Sequence, residues 1–350
     1  MLEGLIDAAD FVLEDFLRLP VRKALDPMVD DDFLVIVKRL SKAIRGVTGE
    51  AEAVALRKAI NTLDVDWAEL TPEQTQRIVQ AANTAIRTTP IAWPVLEKVF
   101  RVESTRIIEG AKVHARELHE LHIDVSLSAT DKNVAEHAAR SQTVYVRDQL
   151  GVRADAASKK AREIISKGLE AGKGREEIAG ELADALQAQQ LGRARSYYDV
   201  VSAAHVARAR SYGSLVGYAD AGIETFTFQA VMDEATTDAC RFMHGRVFSV
   251  SKGLRSFEQA AELDDPEDIK THSPWIQSGK DEDGQPILYT RTAGGGRNVV
   301  ALIERSGLGG LDDGGKFTTA HTDESLQAAG MSYPPLHGRC RSSIIPNVDL

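Results

Sequence analysis

Cysteine is almost absent from these 350 residues. The two present, Cys240 and Cys340, each stand near a histidine, in Cys240-Arg241-Phe242-Met243-His244-Gly245 and in Pro334-Pro335-Leu336-His337-Gly338-Arg339-Cys340-Arg341. A basic leader is also lacking, since Met1 to Asp7 is acidic where a secretory signal is positive. No apolar run approaches the roughly eighteen residues of a membrane span. The chain is therefore expected to be soluble and intracellular, with no membrane partner. Positive charge is in short supply, with 42 Lys and Arg against 52 Asp and Glu and a formal net charge of -10. That balance argues against a surface given over to nucleic acid, but it leaves room for a local basic patch. At 43% hydrophobic and 27% charged the composition is that of an ordinary folded protein, and the length suggests two or three domains.

The two cysteine segments organise the C-terminal third. Cys-x3-His sets both side chains on one side of a turn or helix start, and His-x2-Cys does the same in a tight knuckle, so Cys240, His244, His337 and Cys340 form a candidate set of zinc ligands. Closing a loop of roughly 90 residues costs about 4 kcal/mol. Structural zinc contributes on the order of 10 to 16 kcal/mol, enough to hold that loop shut. Two other readings stay open at this point: a pair of buried thiols with ordinary histidines, and a Cys240 to Cys340 disulfide worth about 4 to 5 kcal/mol in an oxidising compartment.

The rest of the pattern predicts a mainly α protein with a small C-terminal α+β domain. Residues 1–130 read as a helical N-terminal region, broken at Pro20, Pro27, Pro72 and from Pro90 to Pro94. Thr71-Pro72-Glu73-Gln74 has the chemistry of a helix start, with Thr71 as cap, Pro72 in the first turn and Gln74 completing a capping box; this helix is expected to reach about Arg87. After Pro94, apolar residues from Val95 to Leu121 recur at helical steps, with His114, His119 and His122 on the polar side. His119-Glu120-Leu121-His122 has the wrong spacing for a zinc protease helix, so these histidines are expected on a solvated face.

Residues 131–220 are expected to hold a helix from about Asp131 to Gly151, another from about Ala154 to Gly172, and further helix beyond, each glycine serving as a C-cap. Arg140, Arg147, Arg153, Lys159, Lys160, Arg162, Lys167, Lys173 and Arg175 make this stretch locally basic, but without the interleaved aromatics of a nucleic-acid surface. From 221 onward, alternation at Glu224 to Gln229 and the run Val247 to Val250 predict strands, and residues 251–330 read as an insertion in a domain spanning 221–350, with strands at Ile287 to Thr290 and Asn298 to Ile303. Gly310 to Phe317 imitates a phosphate loop, but Phe317 stands where a Ser or Thr must hold Mg²⁺ and two Asp residues would repel phosphate, so an acidic loop is expected there. Gly294-Gly295-Gly296 reads as a turn.

Several ordered pieces together resemble the head-morphogenesis proteins of tailed phages, the phage Mu protein F-like family of minor capsid proteins. They are Ile164 to Leu182, Tyr198 to His205, Ala207 to Gly213, Ala221-Gly222-Ile223, Asp233 and the two Cys/His segments. The resemblance implies association with the portal protein and with capsid or scaffold proteins during procapsid assembly. It also implies a place in the inner head of the virion after assembly in the host cytoplasm, and a role in packaging or delivering DNA. Ala204 stands where many relatives carry a glutamate, which removes a candidate acid or base. His205 is then expected to be a packing residue, and no assembled base, nucleophile and orienting group is legible. The competing classes are a zinc-dependent hydrolase or nuclease, with Asp233 and Glu234 as the nearest bases, a phage-carried toxin, and a DNA-binding module built on the basic helices.

Overall fold

The computed structural model describes residues 25–66, 70–88, 91–118, 120–171, 173, 175–263, 266–292, 295–307 and 313–348. Among the described residues five helices come first: α1 (Asp30–Leu63), α2 (Pro72–Arg87), α3 (Trp93–Leu118), α4 (Ala129–Glu170) and α5 (Arg175–Asp220). The C-terminal part mixes β1 (Thr225–Gln229), α6 (Asp238–Met243), β2 (Val247–Ser249), α7 (Val250–Ala261), α8 (Pro266–His272), β3 (Gln277–Lys280), β4 (Pro286–Arg291), β5 (Arg297–Arg305), β6 (Lys316–Thr318), α9 (Asp323–Ala328) and β7 (Ser343–Pro346). The mainly α class with a small α+β C-terminal part is thus observed. Among the described residues no helix is long and apolar enough to cross a membrane.

Local chemistry starts these helices. Three aspartates, Asp30 to Asp32, occupy the first turn of α1, where the exposed N–H groups favour negative charge. At α2 the Thr71 hydroxyl accepts from the Gln74 N–H at 3.3 Å, and the Gln74 side-chain oxygen accepts from the Thr71 N–H at 2.8 Å, the reciprocal cap its sequence predicts. Ser128 and Asp131 repeat the device at α4, with bonds of 3.0 and 2.8 Å.

One expectation fails here. In place of two helices meeting near Gly151, α4 runs unbroken for 42 residues through that glycine. A mid-helix glycine costs only about 1 kcal/mol relative to alanine. With no proline between 129 and 170, nothing obliges the chain to turn there. Gly172, the other expected cap, lies outside the described residues, as do Pro20, Pro90, His119, Gly294 and residues 310–312.

The chain divides into two units. Among the described residues, the first comprises Arg39–Val99 and Gln142–Asp199, and the second residues 25–38, Phe100–Ser141 and 200–348. In the first, Ala59 and Leu63 of α1, Val79 and Ala82 of α2, Ala161 and Ile165 of α4, and Ile178 and Leu182 of α5 close one apolar cluster. The basic stretch contributes ion pairs to this unit's surface: Glu163 receives both Lys160 at 3.2 Å and Lys167 at 2.8 Å, and Lys173 lies 3.5 Å from Glu177. Part of its positive charge is therefore neutralised along its own helices.

In the second unit α3 and α5 approach so closely that a Cβ on Gly213 would stand 2.7 Å from the Ile108 carbonyl oxygen. Lys112 and Asp131 are buried there as an ion pair, 3.3 Å apart, and Lys112 also donates to the Ser126 carbonyl at 3.0 Å. His114 is half-buried, with Nδ1 2.6 Å from the Asp26 carboxylate, so it does not belong to a purely solvated face; a distant segment, invisible to helical periodicity, supplies the partner. His122 is exposed.

Two antiparallel sheets complete this unit, with strand orders β2-β1-β7 and β3-β4-β5-β6. In β1 the alternation puts Phe226 and Phe228 inside. The free edge of β2 is covered by side chains of α9: the Asp323 carboxylate accepts from the Val247 N–H at 3.0 Å. Gln327 accepts from the Ser249 N–H at 3.1 Å and donates to the Ser249 carbonyl at 2.8 Å. Asp313, in the described part of the phosphate-loop imitation, holds Arg305 at 2.6 and 2.7 Å, so its carboxylate is engaged by a cation of the protein.

His205 is a packing residue. It is buried, its Nε2 is 2.9 Å from the Ser104 hydroxyl, and its ring lies 4.8 Å from that of Phe100. Burial, reinforced by the charge of Arg208, lowers its pKa from 6.5 to about 4. The unfolded chain, titrating near 6.5, takes up more protons than the fold between those values, so stability falls as pH drops through this window. The loss by pH 4 should be on the order of 3 kcal/mol. Denaturant unfolding of wild type and His205→Gln at pH 7.5 and 4.5 checks this: the wild type should lose more stability on acidification than the variant, and equal losses would refute the assignment.

Candidate metal centre

Cys240 belongs to α6, a six-residue helix capped by Thr237, whose hydroxyl accepts from the Cys240 N–H at 3.4 Å. Arg241 anchors the loop before it, donating to the carbonyls of Asp233 at 2.9 Å and Thr236 at 3.3 Å. The second cysteine segment is a knuckle after a cis Pro334-Pro335 bond. There Arg339 has a φ of 60°, and a Cβ on Gly338 would come within 2.8 Å of Val200. Only a residue without a side chain lets this turn lie so close to α5.

These two segments bring Cys240, His337 and Cys340 together, with all their ligand atoms within 4.8 Å of one another. The Cys240 sulfur is 3.0 Å from His337 Nε2 and 3.8 Å from the Cys340 sulfur. Both cysteines are free and buried. His337 Nδ1 lies 2.7 Å from the Gly338 carbonyl, which only an N–H there can satisfy, so Nε2 is the ring nitrogen that faces the sulfurs. His244 is placed elsewhere. It is the C-cap of α6 (φ -56°, ψ 131°), it is exposed, and its Nδ1 accepts from the Ala230 N–H at 3.2 Å. The spacing brings His244 back over the turn that carries Cys240, but its ring is held by the Ala230 N–H and is not among the three ligand atoms that converge.

The electrostatics favour anionic sulfur. The hydrogen bond from Cys240 holds Cys340 well below the usual thiol range, with His337 acting the same way, while Cys240 is pushed up by the same bond and by burial; the pair shares one proton. Burial pulls the His337 imidazole down, but the Cys340 thiolate more than offsets it and leaves the net shift upward. Sequence reasoning missed a buried charge that interacts with Cys340, Arg210 of α5. It is buried and donates to the carbonyls of Pro27, Arg341 and Ser342, and it lies 4.3 Å from the centre of the Phe33 ring. Burial lowers its pKa to about 10, opposed chiefly by the charge of Cys340. Nothing in the local sequence distinguishes it from Arg208; only the fold buries it.

Two thiolates and an imidazole form a donor set suited to zinc. For ligand bonds of about 2.3 Å, tetrahedral geometry puts two sulfurs about 3.8 Å apart, the separation found between Cys240 and Cys340. The residues therefore fit such an ion. Asp233, read as a nearby base, is held by Arg341, which lowers its pKa and keeps it ionised; Arg341 also reaches Asp30 at 3.4 Å.

Comparison with known proteins bears on the same residues. A family model described as phage Mu protein F like protein matches residues 159–264, less than a third of the chain, a span that includes Cys240 and His244 but ends before His337 and Cys340. No curated protein and no solved structure matches the chain. Residues 159–264 are thus similar to the phage Mu protein F like family.

Proposed function

We propose that this chain is a minor head protein of a tailed phage or prophage. It would assist procapsid assembly in the host cytoplasm and remain in the inner head of the virion. The observation that carries this reading is the family match at 159–264, whose span includes the first cysteine of the metal cluster. The portal protein is the partner that fits best, with capsid or scaffold proteins and packaged DNA as further contacts. We assign the portal-facing surface to residues 131–220, where basic side chains on long helices complement an acidic partner. Within this reading the three domains are 1–130, 131–220 and 221–350, and zinc is structural, held by Cys240, His337 and Cys340.

A structural role is favoured over turnover. Asp233 is engaged by Arg341, His205 is buried against Ser104 and Phe100, and the two sulfurs lie in the interior. Bound there, zinc would supply a crosslink between α6 and the knuckle before β7. The test is genetic and biochemical: particles assembled without this chain should show a large loss of infectivity, and the full-length chain should co-purify with portal. Undiminished infectivity together with no portal retention would refute the assignment. Nuclease or peptidase activity lost in His337→Ala, with assembly intact, would establish the enzyme instead.

A further inference from the structure

We infer that the Ser342 hydroxyl is the fourth ligand of the metal centre. The inference rests on the zinc reading above and extends it to a buried hydroxyl. The Cys240 sulfur has three donor atoms around it: His337 Nε2 at 3.0 Å, Ser342 Oγ at 3.1 Å and the Cys340 sulfur at 3.8 Å. In a tetrahedral zinc site, bonds of about 2.3 Å to sulfur and about 2.0 to 2.1 Å to nitrogen or oxygen set the donors roughly 3.5 to 3.8 Å apart. The three edges meeting at Cys240 are therefore already within about 0.6 Å of the lengths a bound ion would impose.

Ser342 is well held for this task. It is 2% exposed, its carbonyl is gripped by Arg210, and the next residue, Ser343, begins β7 in register with Gln229 of β1. The hydroxyl donates to the Cys240 sulfur, so its oxygen lies at the cluster. His244, the other candidate for the fourth corner, is exposed and turned to the Ala230 N–H. On metal binding Cys240 loses its proton to solvent, and the serine oxygen gives a lone pair while keeping its hydrogen. A divalent ion with two thiolates, one neutral imidazole and one neutral hydroxyl then carries no net charge, which a buried site beside the cationic Arg210 tolerates. The fourth position is closed to water, and the ion is structural.

Cobalt(II) is the probe, added to full-length protein stripped of zinc, with wild type, Ser342→Ala and Ser342→Cys compared. Wild type should bind one cobalt with four-coordinate visible bands that added azide leaves unchanged. Ser342→Ala should bind about ten-fold more weakly and respond to azide, because its fourth position is open. Ser342→Cys should bind more tightly, with sulfur-to-cobalt charge-transfer absorption raised by about half as two thiolates become three. Circular dichroism of each variant separates ligand loss from misfolding, and Ser342→Cys carries the test by itself if Ser342→Ala does not fold. Affinity and azide response in Ser342→Ala equal to wild type, or no added thiolate band in Ser342→Cys, would overturn the assignment. Wild type that takes up neither cobalt nor zinc would instead refute the metal reading itself.

Discussion

Wild-type protein should carry about one zinc per chain and should lose most of the stability of its C-terminal unit when that metal is removed. Cys240 and Cys340 are 100 residues apart in sequence, and the metal ties α6 to the knuckle before β7. Structural zinc of the zinc-finger kind contributes on the order of 10 to 16 kcal/mol, whereas a whole domain is stable by only about 5 to 15 kcal/mol. Loss of the ion therefore removes a quantity comparable with the entire stability. A strong chelator, or Cys240→Ser combined with Cys340→Ser, should lower the melting transition by on the order of 20 °C or more. Elemental analysis and calorimetry read the two halves of this expectation. Equal, negligible metal in wild type and double variant, with identical melting in chelator, would leave two buried thiols as the correct account.

Lys112→Met should cost about 3 to 5 kcal/mol, because it strands the Asp131 carboxylate in the interior. The two side chains are only 2% and 1% exposed, so water cannot replace the lost partner. The Ser126 carbonyl loses its donor at the same time. Asp131→Asn added to Lys112→Met should recover much of the loss, since the amide oxygen can keep the 2.8 Å bond from the Ser128 N–H that caps α4 while the buried charge is gone. Denaturant midpoints of the two variants measure this. A single-variant cost below about 1 kcal/mol would mean that the pair is hydrated and structurally idle.

The sequence by itself determined what depends on neighbours a few residues apart. The Thr71 to Gln74 cap, the apolar steps of α3 and the alternation of β1 are written in local spacing, and the structure contains all three. So is the proximity of each cysteine to a histidine, which singled out the two segments that meet. The continuity of α4 through Gly151 was not legible, because one glycine costs a helix only about 1 kcal/mol and so marks a possible end without imposing one. Nor was β7, four residues ending in proline, whose strand character comes from pairing with β1 more than a hundred positions earlier.

At the metal centre the division is sharper. Spacing named Cys240, His337 and Cys340, but it also named His244, whose Nδ1 accepts from the Ala230 N–H. Arg210 carries no motif at all, and Ser342 reads only as lacking the thiol that would make it a cysteine ligand. Their positions at the cluster follow from the register of β7 on β1 and from the burial of α5, and burial is what gives a guanidinium or a hydroxyl leverage over two sulfurs. Local chemistry chooses helices, caps and pairs; which of those groups share one dry site is decided only when distant segments pack.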